Sequence, residues 1–67
     1  MKPSVNARDL YSQGVVLRSR GDYQGAIEKW EQLQRLRNAG EWGPRAKAHV
    51  DRAKRILELQ RAAAPAP

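Results

Sequence analysis

His49 is the one histidine in a 67-residue chain that has no cysteine. Histidine is the side chain whose ordinary titration falls near neutral pH, so proton-transfer chemistry would centre on it. If the surrounding residues are helical, its neighbours one turn away are Arg45, Ala46, Arg52 and Ala53. No carboxylate stands there to orient the ring or to share a metal ion. The adjacent guanidinium groups disfavour the protonated imidazole. Catalysis needs a nucleophile, a base and an orienting group within reach of one another, and no such set can be assembled. There is no glycine-rich phosphate loop and no nucleotide motif. Without cysteine, disulfides and thiolate metal sites are excluded. The expectation is a non-enzyme with no metal and no cofactor, in which His49 sits on a helix face.

The charged residues point to binding. The net charge is +6, and it is unevenly spread. Residues 34–67 carry Arg35, Arg37, Arg45, Lys47, Arg52, Lys54, Arg55 and Arg61 against only Glu41, Asp51 and Glu58. Such an excess attracts an acidic protein surface, nucleic acid or anionic lipid. The alternative is a solvated basic helix with no specific partner. The basic-face candidates are Arg45, Arg52 and Arg55. With Lys47 and Lys54 they spread around most of a helix, whereas a DNA-reading helix concentrates base contacts on one side. Nucleic acid is therefore the less favoured partner. Trp42, between Glu41 and Gly43, is expected in a loop. It is either a binding anchor or a lid folded over the end of the hairpin near Leu36.

The elements that position these residues are helices. Residues 1–5 form an N-terminal lead-in, with Pro3 outside a helix or in its first turn. Asn6, three residues before Asp9, suits an N-cap, with Ser4 as a rival. Leu10, Gly14 and Leu17 share one face of a first helix that runs to about residue 19 or 20, flanked by Tyr11 and Val15. Gly21 suits a helix-closing residue and Asp22 the next N-cap. So short a join makes the two helices antiparallel neighbours. Ala26, Ile27, Trp30, Leu33 and Leu36 line a second helix expected over 23–37. Asn38-Ala39-Gly40 reads as its stop. Gly43-Pro44 reads as the start of a third helix over 44–61, with Pro44 at its first position. Its buried side is Ala46, Val50, Ala53, Ile56 and Leu57. The expected architecture is all-α: an antiparallel hairpin plus a third helix over 6–61. Residues 62–67 form a flexible tail or linker. No apolar run nears the ~20 residues that span a bilayer, so no membrane insertion is expected. The expected location is the cytoplasm, or the periplasm if the chain belongs to a larger exported protein.

The spacing of Leu10, Gly14 and Leu17, the Gly-Asp-Tyr join at 21–23 and the Ala26–Trp30 pair resembles a tetratricopeptide repeat (TPR). Gln13 stands where Leu is usual, Leu33 where a small residue is common, and Asn38 in place of the closing Pro. The third helix, with Asp51-Arg-Ala-Lys-Arg-Ile-Leu57, is similar to the polar helix that caps such arrays. The resemblance covers about half the chain and implies one repeat plus a capping helix.

It also implies a function. Helices equivalent to the first line a groove for protein or peptide partners. The outward positions fall on Arg8, Tyr11, Ser12, Val15, Arg18 and Ser19, unless Tyr11 and Val15 merely touch the third helix. Aromatic and Arg residues carry a large share of interface energy. The Lys and Asn pattern that clamps a terminal carboxylate in chaperone-binding members is absent. Repeat arrays normally need about three repeats, so this hairpin is expected to stack on a second copy, a neighbouring domain or a client, or else to stand alone as a bundle. The leading expectation is a non-catalytic scaffold or assembly adaptor whose partner is a protein, acidic or identical to itself. The alternative is a small basic helical protein that binds nucleic acid.

Overall fold

A computed structural model describes residues 6–63, and among them there are three α-helices and no strand. The expected lead-in at 1–5, with the rival cap Ser4, and the last four residues of the expected tail lie outside the described residues.

Helix α1 spans Ala7–Ser19. Asn6 caps it in an extended conformation, its Oδ1 accepting from the Asp9 amide at 2.8 Å. That satisfies one of the amides a helix start leaves without a partner. The helix closes where the sequence places glycine: Gly21 has φ of 85°. The Asp22 amide donates to the Leu17 carbonyl and the Gly21 amide to the Arg18 carbonyl, both at 2.9 Å. These two bonds form a Schellman closure, which needs a left-handed residue at its centre. Asp22 then caps α2, its Oδ1 accepting from the Gly25 amide at 2.9 Å.

Helix α2 spans Tyr23–Gln34, ending three residues earlier than the apolar pattern suggests. Its last bonds tighten to i→i+3, from the Arg35 amide to Gln32 and from the Leu36 amide to Leu33. The chain leaves the helix there, yet Leu36 still packs against the core. Ala39, in the following turn, is buried as well. Helix α3 spans Trp42–Ala63, so it begins two residues before Pro44. Pro44 is tolerated because amides in the first turn have no intrahelical acceptor to lose. The helix also takes in Ala62 and Ala63, which were expected in the tail.

Helix α2 lies between the other two and packs along both, while α1 and α3 meet much less. Trp30 and Leu33 are fully buried. They face small residues: Gly14 on α1, and Ala46, Val50 and Ala53 on α3. The glycine is required by the crossing. A Cβ built at Gly14 would lie 2.7 Å from Trp30 Cδ1 and closer still to Nε1. The indole also donates to the Tyr11 carbonyl at 3.2 Å, which fixes the register of α2 against α1. Of the expected core, Leu10, Gly14, Ala26, Ile27, Trp30, Leu33, Val50 and Ala53 are buried. Leu17 and Leu57 are only half-buried, at the rim of the same cluster. Ala7 and Ala39 are buried additions.

Candidate functional site

Helices α1 and α3 flank α2 and meet each other much less than either meets α2. Helical periodicity sets Tyr11, Val15 and Arg18 in one row on α1. It sets Arg45, His49 and Arg52 in one row on α3. The two rows meet at Tyr11 and His49: the phenol oxygen lies 2.8 Å from His49 Nε2. Which group donates depends on the imidazole tautomer: with the proton on Nδ1 the Tyr11 hydroxyl donates and Nε2 accepts, and with the proton on Nε2 the ring donates to the phenol oxygen.

Four rings gather around this bond. The His49 ring stacks on Trp30, with centroids 5.0 Å apart and planes at 29°. It meets Tyr11 edge-on at 5.3 Å. Trp42 also lies against Tyr11, with centroids 5.1 Å apart. Arg45 sets its guanidinium 5.3 Å from the Trp42 ring centroid, a cation–π distance. Trp42 is thus the first residue of α3 and not a loop residue, and it covers Tyr11 rather than standing free. His49 is half-buried between α1 and α2, more enclosed than a simple helix-face residue.

The electrostatics follow from this enclosure. Burial pushes the His49 pKa below its ordinary 6.5, and the positive charges of Arg18 and Arg52 lower it further. The sequence pointed to Arg45 and Arg52 as the neighbouring cations. The structure replaces Arg45 with Arg18, which reaches the ring from α1 and so could not be found from spacing along α3. Arg45 is turned toward Trp42 and toward Glu41, 3.9 Å away in an exposed pair. Lys47 pairs with Asp51 and Lys54 with Glu31, each at 3.3 Å. Among the described residues, neither Arg18 nor Arg52 has a carboxylate within ion-pair distance.

The other expected binding residues are placed differently. Arg8 is exposed one turn before Tyr11. Ser12 borders a shallow apolar depression with Gln13, Val16, Leu17 and Lys29. The Ser19 hydroxyl donates to the Val16 carbonyl at 2.7 Å, within its own helix. Arg55 lies beside Asp51, Lys54 and Glu58 along the outer side of α3, away from the aromatic cluster. Three surface depressions among the described residues lie along α3, between α2 and α3, and on the flank of α1 that carries Ser12. These three are open and are lined by residues outside the His49 cluster. Among the described residues there is no grouping of three or more potential metal ligands. No helix among them is long and apolar enough to cross a membrane.

No known protein family, curated protein or solved structure matches the chain.

Proposed function

We propose that the chain is a non-catalytic, TPR-like interaction module that binds a protein partner through the face between α1 and α3. The observation that supports this most is the convergence of Tyr11, Trp42 and His49 with Arg18 and Arg52 from two helices. Tyr, Trp and Arg are the residues that anchor protein interfaces most often. Here the aromatic members are already held in place by one another, so little side-chain freedom remains to be lost on binding. The short Gly-Asp join, the small-against-large packing of α2 and the polar outer side of α3 are consistent with one repeat and its capping helix. Scaffolding or assembly is the cellular role such a module would fill.

The test compares proteins recovered with the tagged full chain and with two variants, Arg18→Glu and Val15→Asp, from the cells that make it. Circular dichroism first establishes that each variant is helical. The reading holds if a protein bound by the wild-type chain is lost with Arg18→Glu. Recovery that is unchanged in both variants contradicts it. Nucleic-acid binding is the second reading, supported by the basic balance of residues 34–67. Its mark would be affinity that falls steeply with salt.

A further inference from the structure

Three basic side chains on this face differ in what they do. Arg45 is engaged by Trp42 and Glu41. Arg18 and Arg52 approach from opposite helices, both act on His49, and have no carboxylate partner among the described residues. A guanidinium group binds carboxylates through paired, charge-assisted hydrogen bonds. Two of them on different helices, beside the Tyr11–His49 aromatic cluster, suit a flexible acidic strand better than a single small anion. We infer that the α1–α3 face takes an acidic peptide segment of a partner protein, its carboxylates meeting Arg18 and Arg52 beside the Tyr11–His49 contact. This rests on the proposed role as an interaction module and names the chemistry of its partner.

The placement has a built-in consequence. The groups acting on His49 are Tyr11 and Arg18 from α1, Arg52 from its own helix α3, and the uncharged Trp30 from α2, while Arg45 is turned to Trp42 and Glu41. Carboxylates laid on Arg18 and Arg52 cancel part of the positive field that disfavours the imidazolium. His49 then titrates at higher pH in the complex. By reciprocity the peptide binds more tightly as pH falls through that titration. The Tyr11 contact survives the change, because in the imidazolium Nε2 carries a proton that it donates to the phenol oxygen.

The probe is a fluorescein-labelled peptide of alternating Glu and Ala, with an oligothymidylate of equal charge as the competing class. Binding to the full chain is read by anisotropy at low salt, and the single His49 ring is followed by NMR. Arg18→Gln/Arg52→Gln is expected to weaken the peptide roughly tenfold or more. Arg37→Gln/Arg55→Gln, with the same net charge, should change it by less than about twofold. Arg18→Lys/Arg52→Lys should recover part of the loss. In the wild-type chain, which needs no variant to fold, the His49 titration should move upward when the peptide is present. Equal losses in the two Gln double variants would overturn the inference, as would an unmoved His49 titration. Tighter oligothymidylate binding that depends on Arg18 and Arg52 would assign the face to nucleic acid instead. If the peptide fails while a partner protein is still lost with Arg18→Glu, the module stands and only its acidic specificity falls.

Discussion

At the scale of single residues, the face depends on Tyr11 and His49 holding each other. Tyr11→Phe keeps the ring packing and removes the hydroxyl. Its expected cost is about 1 kcal/mol, the net value of a typical hydrogen bond, measured by chemical denaturation. His49 also ties stability to pH. Its folded pKa lies below the ordinary 6.5, so the unfolded chain takes up the proton first. Stability is therefore complete above about pH 6.5 and declines as pH falls toward the folded value, below which the His49 contribution is constant. His49→Phe should remove that part of the slope in denaturation midpoints taken on the two sides of pH 6.5. Sequence made the direction of this effect legible, because the arginines around His49 could be counted. It could not supply the larger cause, burial under Tyr11 and Trp30, or the cation from α1.

The element scale was the most legible. Asn6, Asp22 and Gly21 act where their side chains, or the lack of one, dictate. Asp22→Ala should cost about 1 kcal/mol through the lost cap. Gly14→Ala should cost about 1–3 kcal/mol by overpacking, since its methyl would displace the Trp30 indole. Both are read as shifts in the denaturation midpoint. The same residues show why boundaries were harder. Leu36 continues the apolar spacing of α2, but a residue just past a helix end can still reach the core, so periodicity overran the helix. Trp42 and Gly43 carry no strong start signal, and Pro44 concealed that a helix can begin before its proline.

For the whole molecule, α2 organises everything: it packs along both neighbours, while α1 and α3 meet each other much less, chiefly where Tyr11 touches Trp42 and His49. Fold class and hairpin followed from spacing alone. The gathering of Tyr11, Trp42 and His49 did not, because Tyr11 and His49 are 38 residues apart in sequence and only the path of α3 brings them together. Among the described residues, the exposed large apolar ones are Val16 and Leu59, one on α1 and one on α3. They make no contiguous patch of the kind that drives association. Light scattering across the micromolar range should therefore give the monomer mass of 7.6 kDa. A dimer would move the proposed role from partner binding to self-assembly.

The central claim is that partners meet the side shared by α1 and α3. Photo-crosslinking amino acids placed one at a time at Arg8, Ala48 and Gln32, each exposed and on a different helix, test it in the cells that make the protein. The account predicts one shared protein adduct from Arg8 and Ala48 and none from Gln32. Adducts from Gln32 alone, equal adducts from all three, or adducts to nucleic acid only would contradict it.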